Sequence, residues 1–414
     1  MQLRQRSDVP LLRLGLWAKV LAALCLVGTP ASADVLPDDR ADVLYHNYDG
    51  GGITIQGPSV LIRKKVGDNF SFSANYYEDL ISSASIDVKL SASPYHETRK
   101  QEGFSVDYLH GKTIYTAGYI HSREPDYKAD TSYFAVSQSM FGDLTTITMG
   151  YRRGWDQVYR DECNPALPAH PAGTECPDII NDPNFHQQAD HRAYSVSVSQ
   201  ILTRNAIFDF NFEGITDQGY LASPYRQILY VDHTNPLGYT LANQVYPGTR
   251  TSTASSGELK YYLPYRAAVT GMYRYYNDTW GINGHTLEVD YTQPAFGHWI
   301  LDGSIRYYRQ NAASFYSDLF PRADYQNFMA RDRELAAFHS LTLGFGASYE
   351  FHVPYAPWIN KSSLNFHYNR LMIDYSDFRN AIYTKNDPTL YPIGTEPLYR
   401  LEANIFQLFV SIWF

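Results

Sequence analysis

At its carboxyl end the chain places Leu408, Val410, Ile412 and Phe414 at every second position and stops on the aromatic residue. Successive side chains of a β-strand face opposite sides, so these residues form one apolar stripe on one face. No residue follows Phe414 to cover that stripe with protein, and lipid is the expected cover, as in a transmembrane β-barrel. A soluble sandwich can also finish on an apolar strand, so the stripe has to be weighed with the rest of the chain.

The amino terminus carries Arg4, Arg6, Arg13 and Lys19, then an apolar run from Val20 to Gly28, then Ala31-Ser32-Ala33. A basic start, a short apolar run and a small-x-small site describe a secretory signal peptide, expected over residues 1–33 with cleavage before Asp34. An uncleaved anchor would need about 20 apolar residues, roughly twice this run. Cys25 follows Leu24, where a lipoprotein signal carries a small residue, so lipidation is not expected. Residues 34–414 then form one domain.

Export leaves Cys163 and Cys176, 13 positions apart in a segment rich in Pro, Asp and Asn. An even pair in an exported loop is expected to form one disulfide, with two free thiols as the alternative. A zinc site is disfavoured because His170 and His186 lie at no recognised zinc spacing.

Aromatic residues make up 15% of the chain, yet mean hydropathy is only −0.36. A lipid-facing barrel reconciles these values, because only alternate residues of each strand need be apolar and Tyr and Trp gather at the interfaces. The formal net charge of −9 argues against a nucleic-acid partner.

Alternation recurs along the chain. Phe70, Phe72, Ala74 and Tyr76 alternate with Ser71, Ser73, Asn75 and Tyr77, and Phe208, Phe210 and Phe212 with Asp209, Asn211 and Glu213. Leu341, Leu343, Phe345, Ala347 and Tyr349 alternate with Thr342, Gly344, Gly346, Ser348 and Glu350. Short connections are expected near 67–69, 110–112, 142–143, 204–205, 264–265, 294–297 and 354–357. Long ones are expected at 82–100, 161–188, 221–250, 318–333 and 379–397. Short turns on one rim and long loops on the other predict an all-β, antiparallel up-and-down barrel with short periplasmic turns. It should have about 16 strands (14–18) if residues 43–48 pair, and an even count returns both termini to the periplasm.

The stretch Arg40-Ala41-Asp42-Val43-Leu44-Tyr45-His46, then Tyr48-Asp49-Gly50-Gly51-Gly52 and Gly57-Pro58-Ser59-Val60-Leu61, resembles the opening of the family catalogued as domain of unknown function 3570. The resemblance continues through Ser73-Ala74-Asn75-Tyr76-Tyr77, the segment Ile81 to Val88, Ala92-Ser93-Pro94-Tyr95, Phe141-Gly142-Asp143-Leu144-Thr145-Thr146, Gly150-Tyr151 and Arg153-Gly154-Trp155-Asp156. It implies an exported outer-membrane protein of a Gram-negative envelope and supplies no catalytic residues or cofactor. It also implies a lipoprotein or periplasmic partner in a redox-linked envelope system, which no residue of this chain tests. Outer-membrane lipid and the barrel-assembly machinery are the partners expected of any such barrel.

Asp49-Gly50-Gly51-Gly52 reads as a tight bend, with an anion or metal nest as the alternative. The small residues around Ile86 to Leu90 allow an inward constriction with Asp87 and Lys89 lining it, or a plain extension of the hairpin. Asp156, Asp161, Glu162, Glu175, Asp178, Asp182 and Asp190 lack the spacing of a calcium loop and read as a solvated acidic face. Glu288, Asp290, Asp302, Arg306, Glu350, His352, Asn365 and His367 read as lumen residues that pair, hold water and set a transverse field. Asp374 and Asp377 with His367 are the nearest approach to an acid and histidine constellation, and polar strand residues make such coincidences common, so no enzyme activity is expected. The expected function is a porin-like channel for small polar solutes or ions. The alternative is a structural component holding a periplasmic or lipoprotein partner, and a hydrolase ranks third.

Overall fold

In a computed structural model, residues 35–83, 95–163 and 179–414 are described. The expected signal peptide, Asp87 and Lys89, and Cys176 with the side chain of Cys163 lie outside the described residues.

The strands are β1 (Arg40–Gly50), β2 (Ile53–Val66), β3 (Phe70–Ser83), β4 (Tyr95–His110), β5 (Thr113–Arg123), β6 (Tyr127–Met140), β7 (Thr145–Cys163), β8 (Ile179–Thr203) and β9 (Ala206–Gly219). Then follow β10 (Gln227–Val231), β11 (Tyr239–Asn243), β12 (Thr249–Tyr262), β13 (Ala268–Asp278), β14 (Asn283–Ala295), β15 (Trp299–Gln310), β16 (Phe338–Phe351), β17 (Lys361–Arg379) and β18 (Leu398–Trp413). Every strand but β10 and β11 joins one closed barrel of 16 strands, and those two form a separate hairpin between β9 and β12. Neighbouring strands are antiparallel, and β1 closes the barrel on β18 with Arg40 opposite Trp413 and Gly50 opposite Ala403. Closure pairs every edge, which a strand bundle in hydrocarbon requires because lipid offers no hydrogen bonds.

The pleat sorts the side chains. On β3, Phe70 and Phe72 are exposed on the outside while Ser71 and Ser73 are buried within, and Ser73 Oγ lies 2.6 Å from Ser105 Oγ on β4. Val43, Phe104, Phe134, Met149, Val196, Phe210, Leu287, Ile305, Phe345, Leu364 and Leu408 continue the outer apolar surface around the wall. Leu408, Val410 and Ile412 share that outward parity, with Leu408 half exposed. The backbone N–H of Phe414 donates to the Asp39 carbonyl at 3.2 Å. Its ring meets Trp358 edge-on with centroids 6.2 Å apart, and Lys64 Nζ lies 4.9 Å from its centroid.

Connections on the rim where β1 begins and β18 ends are short, as the turn residues require, and those on the other rim are mostly long. The exceptions on the outer rim are informative. β1 and β2 are joined by Gly51 and Gly52 alone, at φ of 62° and 78°, a two-residue hairpin that needs positive φ twice. The glycine run is therefore a tight turn. The outer connections 220–248, 311–337 and 380–397 carry folded structure of their own. They contain the β10–β11 hairpin, a single turn of 3₁₀ helix at Arg333–Leu335 and one short α-helix, α1 (Ile382–Asn386).

Candidate functional site

The inward wall alternates small polar residues with ionised ones. Toward the periplasm, Lys260 Nζ bridges Asp209 at 2.9 Å and Glu258 at 3.1 Å, and Thr116 donates to Asp107 at 2.7 Å. Glu288 on β14 stands opposite Arg306 on β15, and Asp290, opposite Ser304, is buried. Asp302 lies 3.7 Å from His367 Nδ1 across Gly346, where an added Cβ would come within 1.8 Å of the Asp302 carboxylate and 2.6 Å of the His367 ring. Only glycine fits between them. Asn365 donates to Ser363 Oγ at 2.8 Å, and Glu350 pairs with Lys361 Nζ at 2.5 Å. These last residues, with Ile300, Ser348 and Trp413, line a cavity of about 210 Å³. His352 keeps inward parity in sequence but lies beyond the end of β16, exposed in the turn to β17. The lumen set thus holds it at the rim, because the strand stops at Phe351.

The outer half of the lumen contains buried ion pairs, and Asp156, expected on a solvated acidic face, is buried in one of them. On one side His46 Nε2 contacts Asp79 at 2.7 Å, Arg99 reaches the same carboxylate at 3.5 Å, and Arg99 Nε lies 3.9 Å from Glu124. Further round, Asp156 accepts from Tyr127 and lies 3.1 Å from His191 Nε2, while His191 Nδ1 contacts Asp217. Beyond it Arg250 holds Asp278 at 2.9 Å through Nε, stacked over Trp280 with its guanidinium carbon 4.4 Å from the ring centroid. Burying charges is costly unless they are paired, and neighbouring inward positions supply the partners. In the β5–β6 connection, burial pushes Glu124 up to about 7 and Asp126 up to about 6.

Above this belt the long loops interlock. Arg226, ahead of β10, pairs with Asp332 and lies 3.3 Å from Glu334, and Tyr246 donates to Asp332 at 3.0 Å. Arg331 pairs with Asp318 at 2.8 Å and donates to the Arg379 carbonyl at 2.9 Å. Gln310, buried on the barrel wall, donates to the carbonyls of Glu334 and Ala336, both at 2.9 Å. Arg333, the first residue of the 3₁₀ turn, is 1% exposed. Apolar packing supports the polar joints. Leu221, Tyr246, Trp280, Ala313, Phe315, Ala330 and Leu335 form one core, and Ala336 joins Tyr48, Phe338, Leu371, Phe378 and Leu401 of the wall in another. The four charges Arg331 to Glu334 framed by Ala330, Leu335, Ala336 and Ala337 were visible in the sequence. A charged run reads as solvated unless its partners, more than 100 residues away in the case of Arg226, are known.

The remaining candidates separate. Asp374 faces outward with Arg400 at 3.3 Å and His339 at 3.8 Å, whereas His367 faces the lumen. Asp377 accepts from the Ala337 N–H at 2.8 Å, so the acid and histidine constellation is not assembled. Of the acidic set around β7, Glu175 and Asp178 lie outside the described residues, while Asp182 is paired to Arg160 and Asp190 to Arg153 and Arg192. Among the described residues no group of three or more His, Cys, Asp or Glu is arranged to hold a metal.

The family model described as "Protein of unknown function (DUF3570)" matches residues 86–368. No curated protein matches the chain. Solved structures similar to it include a bacterial polysaccharide outer membrane secretin, at 7% identity and a TM-score of 0.46, covering 92% of this chain and 100% of that one. A Pseudomonas aeruginosa FadL homologue matches at 12% identity and a TM-score of 0.41, covering 94% of each chain. The FrpB iron transporter from Neisseria meningitidis matches at 12% identity and a TM-score of 0.42, covering 84% of this chain and 56% of that one.

Proposed function

Taking as premise that the chain belongs to the DUF3570 family, we propose that it is an outer-membrane conduit for small polar solutes or ions, held closed at its outer mouth by its own loops. One observation carries this reading. Outside the apolar sector of Tyr48, Leu371 and Leu401 under the outer loops, the inward wall carries polar or ionised residues from the periplasmic rim, at Asp107, Lys260, Asp290 and His367, to the outer belt at His46, His191 and Arg250, while the middle of the outward wall is an apolar belt. A wall of this kind holds water and ions, and paired charges at close quarters bias which ions pass. The loops joined by Arg226 and Asp332 lie across the outer end, so opening requires them to part.

A second reading, a scaffold for a periplasmic or lipoprotein partner, draws on the periplasmic turns. Phe296 is 87% and Tyr355 97% exposed there, and large exposed aromatics mark contact surfaces. Planar-bilayer recording separates the two. The conduit predicts small or infrequent openings for the intact protein and large, sustained ones after residues 316–330 are replaced by a short linker. Protein that inserts, shows the gel shift of a folded barrel and never conducts, with or without those residues, overturns the conduit and leaves the scaffold.

A further inference from the structure

On the outer wall, Lys100 of β4 stands opposite Arg123 of β5, and Arg123 stands opposite Lys128 of β6. All have outward parity, with Lys100 and Arg123 exposed and Lys128 half-buried. Directly paired positions have Cβ atoms only about 5 Å apart, and like charges there repel. Among the described residues, no carboxylate forms an ion pair with any of the three. Glu78, opposite Lys100, instead accepts from Tyr76 at 2.5 Å. Asp130 accepts from His121 at 2.7 Å, and Glu102 lies opposite His121. Beside the cations, the Lys128 ammonium lies 5.3 Å from the centroid of Tyr159, and Tyr159 stacks on His186 with centroids 5.0 Å apart and planes 11° from parallel. His186 also lines a cleft of about 480 Å³ with Gln187, Gln188, Gly219 and Tyr220.

The position of this patch selects its ligand. Lys100 and Arg123 are each four residues along their strands from Phe104 and Tyr119, which belong to the apolar belt. At about 3.3 Å per residue along a tilted strand, the cations stand at the level where acyl chains give way to headgroups on the outer side. Three unneutralised cations suit a phosphate, and a flat aromatic pair beside them suits the face of a sugar ring. We propose that Lys100, Arg123 and Lys128, with Tyr159 and His186, form a binding site for the phosphorylated sugar headgroup of an outer-leaflet glycolipid. The site is independent of whether the lumen conducts.

The test uses the full mature protein, folded and reconstituted in phosphatidylcholine vesicles doped with bisphosphorylated lipid A or with the same lipid after phosphatase treatment. Protein-bound lipid is counted by native mass spectrometry after detergent extraction. The wild type should retain the phosphorylated lipid and not the treated one. Each of Lys100→Gln, Arg123→Gln and Lys128→Gln should weaken retention by about fivefold, from about 1 kcal/mol per surface cation. Tyr159→Ala should weaken it with all three cations in place, and Arg204→Gln, in a periplasmic turn, should not. Folding of each variant is checked by its gel shift, and the single substitutions keep the test valid if the triple variant fails to fold. Equal retention of the two lipids, or unchanged retention in all three single variants, overturns the proposal. So does full displacement by millimolar inorganic phosphate, which would mark a small-anion site.

Discussion

Arg226 and Asp332 are ion-paired across the outer mouth of the barrel, joining the loop that leaves β9 to the loop that precedes β16. Asp332 is buried and also accepts from Tyr246 and from the N–H of Glu334, whose 3₁₀ turn it caps. One carboxylate thus ties both ends of the 220–248 connection to the turn it caps in the 311–337 connection.

Removing one partner of a buried pair leaves the other charge uncompensated, at a cost of about 3–5 kcal/mol. Asp332→Ala should therefore loosen the cap while leaving the barrel folded. The expected outcome is protease cleavage within 311–337 of protein that keeps its gel shift. Resistance equal to the wild type would show that the apolar cores around Phe315 and Leu335 hold the cap without the pair.

Phe414 is tied to Trp358, Lys64 and the Asp39 carbonyl, so it seals the junction where β18 meets β1. An aromatic pair and a cation over a ring are each worth about 1 kcal/mol. Deleting Phe414 should lower the yield of folded, heat-modifiable barrel and its melting temperature. Assembly at the wild-type rate and yield would remove its role.

Glu124 gives a pH dependence with a definite sign. Its folded value, raised by burial to about 7 from an ordinary 4.5, means that the folded state binds the extra proton between those limits. Stability should fall as pH rises from about 4.5 to 7 and then level off. Arg99 opposes the shift, whereas Asp126 and Asp79 add to it. Glu124→Gln should flatten the slope of apparent melting temperature in that window. A slope unchanged by the substitution would assign the titration elsewhere.

Cys163 and Cys176 are the only cysteines left after the expected signal peptide, and we propose that they are bridged. Closing so short a loop is worth about 3 kcal/mol in the chain-entropy picture. Alkylation of native, unreduced protein followed by intact mass should add no label, and two labels would refute the bridge.

Much of this protein was determined locally. The alternation of Phe70 to Tyr77 and of Leu341 to Glu350 assigns each side chain to lipid or lumen, because a strand has a period of two whatever its neighbours are. Turn residues placed the periplasmic rim for the same reason, and with β1 paired the strand count came out at 16. The lumen-facing parity of Glu288, Arg306, Asp302 and His367 was also legible. What only tertiary structure decided is partnership. Closure brings β1 against β18, shear and register choose which inward charges meet, and loop packing buries Arg333 and pairs Arg226 with Asp332. The row of like charges at Lys100, Arg123 and Lys128 likewise exists only once three ladders are in register. No local period encodes such contacts, since their energy depends on groups far apart in the chain arriving together in a medium of low dielectric constant.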